Sequence, residues 1–309
     1  MALSAPLLAR KRIIKVKIET DKGDKVAGDQ ALMVFDLVIN PTAPFEARNG
    51  TGLYRGGKET GVLGERSGVC SFRAEMRGTG SSGLEAGLAI LLQASGFAKA
   101  SEVYQVHSTH TNDKTISIDV WEDGVKKGLA GASGNVTFEG EFGKVLYLNF
   151  EFTGIWQAPI DEAMPAYAPS TTAPMKLAGG TFTLATETIK VSRFSLNMGN
   201  VVVPRADIAA TGGIAYYMIT DYEPELGIDP EADLIAGYDY NGLWLAGTAA
   251  AVSLSVTDGT DKVTFTIPVV QYKEIPGGER EGILTYDITG QCLHSSGNDS
   301  VKLEAAAAA

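Results

Sequence analysis

The sequence has 309 residues but only two cysteines and three histidines. Two cysteines are too few for a disulfide framework, and a structural zinc site needs four N or S ligands at short spacing. Cys70 and Cys292 lie in separate strand candidates. They read as two reduced, buried thiols of a protein made in a cytosol. On that reading the Asn-x-Ser/Thr triplets at Asn49, Asn135 and Asn298 carry no meaning. His107-x-x-His110 is a weak metal candidate, because it falls in a strand-like segment with no cysteine or carboxylate partner, and no metal is expected there. There is no G-x-S-x-G elbow, and no Cys–His pattern marks either cysteine as a nucleophile. No catalytic residues and no cofactor are assigned.

Long apolar runs are also missing. None approaches 18 residues, and the opening MALSAPLLARKR places its apolar patch before its charges, the reverse of a secretory signal. Positive charge is scarce in one half only. Residues 1–155 hold 18 Lys and Arg against 18 Asp and Glu, whereas residues 156–309 hold 8 against 19, so the whole net charge of −11 sits in the second half. An acidic half does not grip phosphate backbones. The basic cluster Arg10, Lys11, Arg12, Lys15 and Lys17 reads as a solvated or partner-docking arm. Acidic clusters at 221–233 and 279–281 read as solvated surface.

What is present is mostly strand. Ile13–Ile18, Ala31–Ile39, Val69–Arg77, Val103–Thr111, Thr115–Glu122, Gly134–Glu139 and Val145–Thr153 carry strand composition, several with clean alternation. Asn40-Pro41 is expected to end the second of these, and Asp123-Gly124 to form a hairpin turn. Gly64–Phe97 organises the chain as a strand, a glycine turn and a helix over Leu84–Ser95. Leu84, Leu88, Leu91 and Leu92 set its spacing, Ser81 or Ser82 its cap, and Gly96 its end. A second helix is expected from Pro230 to about Leu245. Residues 46–68 read as a long loop or flexible hairpin tip, and 157–175, with four prolines, as a semi-extended linker. Phe150, Phe152, Tyr216, Tyr217, Phe265 and Tyr286 read as core or interface packing.

Two glycine motifs invite a nucleotide reading. Gly78-x-Gly80-x-x-Gly83 matches a dinucleotide fingerprint, with Glu102 downstream, but the repeated βαβ units that the fingerprint serves are missing. Gly52-x-x-x-x-Gly57-Lys58 resembles a P-loop until Glu59 stands where Ser or Thr would hold magnesium.

The second half echoes the first. Phe72–Met76 matches Phe194–Met198, Ser117–Val120 matches Ser253–Val256, and Leu148–Gly154 matches Leu284–Gly290; the last two share an offset of 136 residues. This suggests a first domain over 1–156, a linker over 157–175 and a second domain over 176–309.

The order of these elements resembles the tailed-phage major tail tube proteins. The resemblance is carried by the strand, glycine turn and LxxLLxxxGF helix, then SIDVWEDG, GNVTFE and VLYLNFEFTG, and later VSRFSLNMGN, YYMITDYEPELGIDPEA and GNDSVKLEA. It covers about Asn49 to Glu304. It implies a mainly β fold of two tandem tail-tube-like β-sandwich or partial-barrel domains, each with one short flanking helix. It further implies self-association into stacked homotrimeric, pseudo-sixfold rings, with homohexamers as the alternative. The partners it implies are tape-measure, tail-terminator and baseplate proteins, and DNA that passes without specific binding. The implied location is the virion tail, after synthesis in the host cytoplasm. Arg10, Lys11, Arg12, Arg48, Tyr54, Arg55, Lys58, Glu59 and Arg66 are the candidate contacts between subunits and rings. Two other readings remain open: a tube-fold baseplate or binding module that does not polymerise, and a β-rich enzyme using the GTGSSG turn.

Overall fold

The computed structural model describes residues 6–52, 56, 58–168, 170–210 and 212–308. It is mainly β, with 59% of residues in strands and 5% helical. The alternation that predicts strands places their side chains. Ser67–Glu75 buries every second residue, Cys70, Phe72 and Ala74 among them, so one face packs and the other meets solvent. Asp123 and Gly124 both have positive φ, +47° and +103°. A type I′ hairpin turn requires this of both central residues, and here it joins Ile116–Glu122 to Val125–Glu141.

In the first half, seven antiparallel strands pair in the order Gln30–Leu32, Arg12–Ile18, Ile116–Glu122, Val125–Glu141, Tyr147–Asp161, Ser67–Glu75, Val34–Thr42. In the second half the order is Glu187–Thr188, Lys176–Leu184, Ala250–Thr257, Asp261–Glu274, Ile288–Leu293, Glu225–Pro230, Val191–Asn197. The two orders correspond strand for strand along the chain. A two-stranded hairpin occupies the same connection in each, Phe45–Asn49 with Lys58–Leu63 and Asn200–Ala206 with Ile214–Tyr222. One short helix follows in each, α1 (Ala86–Ala94) and α2 (Tyr240–Leu245).

Two ladders join the halves. Thr137–Glu141 pairs with Arg193–Asn197, and the closing strand Lys302–Ala307 bridges Asp261–Thr266 to Val103–Gln105, whose own partner is Phe97–Ala100. The buried side chains form one continuous core across this junction, where the Phe138 and Phe265 rings meet edge-on at 5.2 Å and Phe194 lies 5.3 Å from Phe265.

Several expectations change. The second helix is only Tyr240–Leu245, capped by Asp239, whose carboxylate accepts from Gly242 N; Pro230 ends the strand Glu225–Pro230, Glu231 bridges Thr285, and a turn leads into the helix. At α1 the N-cap is Glu85 without a side-chain bond, not Ser81 or Ser82, while Gly96 takes positive φ at the far end. The chain pairs through Asn40 and Pro41 to Thr42. Proline is tolerated there because this strand lies at the sheet's edge, where a missing N–H breaks no ladder bond. The basic arm is largely a strand, since Arg12–Ile18 pairs residue for residue with Ile116–Glu122. Tyr147–Asp161 runs five residues into the stretch read as a linker. The remainder is tied down: Arg77 pairs with Glu75 and donates to the carbonyls of Ser170 and Thr172, and buried Met175 donates to Met76 O at 2.8 Å. Phe72 and Phe194, an echo by sequence, sit on strands with different places in the two pairing orders.

Candidate functional site

The glycine turn carries the most suggestive chemistry. Gly80 and Ser82 take φ of +84° and +79°, which turns their N–H groups to one side. Such a nest of amides binds an anion. Here the anion is part of the chain: Gly80 N and Ser82 N each donate at 2.6 Å to the carboxylate of Asp261, which is 1% exposed. A Cβ at Gly78 would come within 1.9 Å of Asp261 Oδ2, so glycine is required for the close approach. The turn therefore fastens the first half to the start of Asp261–Glu274 in the second. With its amides committed, it presents no cradle for a pyrophosphate.

Other buried carboxylates are likewise committed to the fold. Glu19 accepts from Thr115 Oγ1, Ser117 Oγ and Gly131 N, all at 2.7 Å, and from Gly23 N at 2.8 Å. Asp119, fully buried, holds Lys25 Nζ at 2.7 Å and accepts from Gly28 N at 2.8 Å. Burial lowers the Lys25 pKa, against the pull of Asp119. His107 and His110 both approach Asp113, at 3.7 and 3.0 Å, and burial lowers the pKa of His107. Among the described residues, no group of three or more His, Cys, Asp and Glu could hold a metal ion. Cys70 and Cys292 are free and buried, and burial pushes each thiol up to about 12.

The expected contact residues fall in two places. Arg10 is exposed beside the first strand. Lys11 pairs with Asp123 at 3.1 Å, and Arg12 pairs with Glu122 at 3.0 Å while donating to Leu37 O at 2.7 Å. Arg48, Lys58 and Glu59 lie on the hairpin Phe45–Leu63, with Arg48 opposite Glu59 and Asn49 opposite Lys58. Tyr54 and Arg55 lie outside the described residues. Arg66 is exposed in the segment leading from the hairpin into Ser67–Glu75.

The hairpin is also unusual in its apolar side chains. Every residue of the two hairpin strands except Gly61 is exposed, and Phe45, Val62 and Leu63 are 65%, 52% and 59% exposed. Phe45 stands opposite Leu63 in the register. Val62 pairs opposite Glu46 and, as the neighbour of Leu63, lies on the other face of the hairpin. Exposed apolar side chains on a hairpin in water mark an interaction surface. The signal in the sequence was three apolar residues flanking a glycine-rich charged loop, hidden because apolar strand residues are ordinarily core. A second exposed apolar group comprises Leu234, Ile235, Leu245 and Leu284 in the second half.

The buried carboxylates Glu19, Asp119 and Asp261 are committed to hydrogen bonds and ion pairs of a mainly β fold, and one hairpin turns apolar side chains to solvent. The family model described as phage tail tube protein matches residues 10–292, and the chain belongs to that family. None of the curated proteins compared with the chain matches it.

Proposed function

We propose that the chain is the subunit of a hollow tail tube, polymerising with copies of itself into stacked rings through which phage DNA passes during ejection. Family membership supports a structural tail-tube role. The observation that carries polymerisation is the hairpin Phe45–Leu63, whose exposed Phe45, Val62 and Leu63 need a partner surface to leave water. Arg48, Lys58 and Glu59 flank that surface, and with Tyr54, Arg55, Arg66 and the 10–12 arm they are the proposed contacts between subunits and rings.

The pairing order that recurs in the two halves supports two tandem tube domains, 1–156 and 176–309, joined by 157–175. Two domains per chain give a homotrimer with pseudo-sixfold symmetry; a homohexamer would need one domain per subunit position. Sheet edges that would otherwise template aggregation are closed by their neighbours in such a ring. Tape-measure, terminator and baseplate proteins complete the partner set at the tube's ends and interior. If the acidic excess of the second half lines the lumen, it repels passing phosphates and keeps the duplex from sticking. Synthesis takes place in the host cytoplasm, with the virion tail as destination.

Negative-stain electron microscopy of concentrated protein tests this directly. Hollow tubes or stacked rings with threefold averages are expected. Monomers at every concentration, with and without other tail proteins, would overturn it.

A further inference from the structure

The two long hairpins end differently. In the first half, the turn after Val125–Glu141 enters the cleft between Lys176–Leu184 and Val191–Asn197. Thr137–Glu141 pairs along the outer edge of Val191–Asn197, with Glu141 facing Arg193. Phe142 N then donates to Ser192 O at 2.6 Å, Gly143 N to Leu177 O at 3.0 Å, and Leu177 N to Lys144 O at 2.9 Å. The equivalent cleft of the first half lies between Arg12–Ile18 and Val34–Thr42. Among the described residues, no strand pairs with the outer edge of Val34–Thr42. A groove of about 750 Å³ runs along it, lined by Arg10, Arg12, Met33, Phe35, Val38 and Tyr167.

The hairpin equivalent to the one that inserts is Asp261–Glu274 with Ile288–Leu293, and its end is built differently. Beyond a break at Ile275-Pro276 the pairing resumes in Gly277–Arg280 with Ile283–Tyr286. Glu274 faces Thr289 and Gly277 faces Tyr286, so the register is kept across the break. Arg280 braces this distal part through Asp229 at 2.9 Å and Glu231 at 3.0 Å. Its end carries exposed Glu279, Glu281, Ile283 and Leu284.

We propose that the distal hairpin Gly277–Tyr286 of one copy enters the first-half cleft of the next copy and adds a strand to the outer edge of Val34–Thr42. The junction inside each chain would thus be repeated between chains. The proposal rests on the ring-forming reading above and names the surfaces that join. The chemistry fits at both ends: Ile283 and Leu284 meet Met33, Phe35 and Val38, and Glu279 and Glu281 meet Arg10 beside the Arg12–Glu122 pair, while Asp36 on the same groove is already held by Arg73. Arg12, which now holds Leu37 O, occupies the edge until the incoming strand replaces it. Each chain then has one donor and one acceptor, a head-to-tail arrangement that closes only at a fixed number of copies. Three chains contribute three internal and three intermolecular junctions.

The test uses the full-length double variant Val38→Cys with Ile283→Cys, two exposed positions in a chain whose own thiols are buried. After assembly is verified by microscopy, a flexible bis-maleimide should give a covalent ladder that ends at trimer. Each single variant and the pair Val38→Cys with Ile208→Cys should give none. In wild-type protein, hydrogen exchange of peptides spanning 34–42 and 277–286 should slow together by at least about tenfold on assembly. Rings with no Val38–Ile283 crosslink and unchanged exchange in both segments would overturn the inference while leaving the tube reading intact. Absence of rings in wild-type protein would overturn both. If the double variant fails to assemble, the wild-type exchange result decides.

Discussion

Replacing Asp261 by Ala removes the acceptor for two N–H groups, those of Gly80 and Ser82, each bonded at 2.6 Å in a site where the carboxylate is 1% exposed. A buried donor left without a partner costs roughly 1–3 kcal/mol. Two of them give a loss of about 4 kcal/mol, offset in part because a desolvated carboxylate no longer has to be buried. With an unfolding entropy of about 2.1 cal/mol/K per residue, a net 3 kcal/mol lowers the melting temperature of a chain this long by about 5 °C. Asp261→Asn keeps one acceptor oxygen and turns an amide N–H₂ toward a backbone donor, so it should lose roughly half as much. Gly78→Ala pushes a methyl group into the same carboxylate. Its effect should be strongly non-additive with that of Asp261→Ala, because both break one contact. Differential scanning calorimetry reads all three, and formate, which fits the vacated nest, should restore part of the Asp261→Ala loss where chloride does not. A melting temperature for Asp261→Ala within about 1 °C of wild type would refute the reasoning that the turn is a latch between the halves.

Further outcomes follow from the other contacts. Phe45→Ser with Leu63→Ser should change the stability of the unassembled chain by less than about 1 kcal/mol, since both side chains are already in water, yet abolish tubes under the microscope. Lys25→Met leaves the buried Asp119 carboxylate with the Gly28 N–H at 2.8 Å and Lys126 at 3.8 Å in place of a close cation, and should cost about 3 kcal/mol in urea denaturation. Native protein should show no thiol reactive toward Ellman's reagent at neutral pH and two after unfolding, because burial raises both thiols to about 12. His107 has its pKa lowered by burial, so the unfolded chain binds a proton there more readily than the folded one. Its contribution is fully present above the unfolded value of about 6.5 and is lost as pH falls below it. Asp113, His110 and Lys22 are the charged groups that face it. Stability measured from pH 7 to 5 should fall less steeply in His107→Gln.

Much of this architecture was legible before any coordinates. The mainly β class followed from period-two alternation in segments such as Tyr147–Thr153, the hairpin at Asp123-Gly124 from the φ > 0 that both residues tolerate, and α1 from leucines at helical spacing. The buried state of both cysteines followed from their apolar strands. These features depend on a few neighbouring residues and on the energy of hiding one face from water, so a local reading suffices. Element lengths were less accessible. Val125–Glu141 begins well before its recognisable part because Gly128, Gly131 and Gly134 hide the alternation, and the expected second helix loses its first residues because Pro230 still pairs with Val191 and Glu231 bridges Thr285.

What no local reading supplies is which strand lies beside which, and which polar group meets which. The GTGSSG motif invites a nucleotide reading in the sequence alone. Only the fold decides that Asp261, some 180 residues away, fills it. Phe72 and Phe194 look alike as strings and occupy different places in the two sheets. Phe45, Val62 and Leu63 have core-like chemistry, yet the fold leaves them in water. In each case composition sets what a segment can do. Tertiary contact decides whether that capacity is spent inside the chain or left for another copy, because burial and hydrogen-bond satisfaction are properties of the assembled surface and not of the segment.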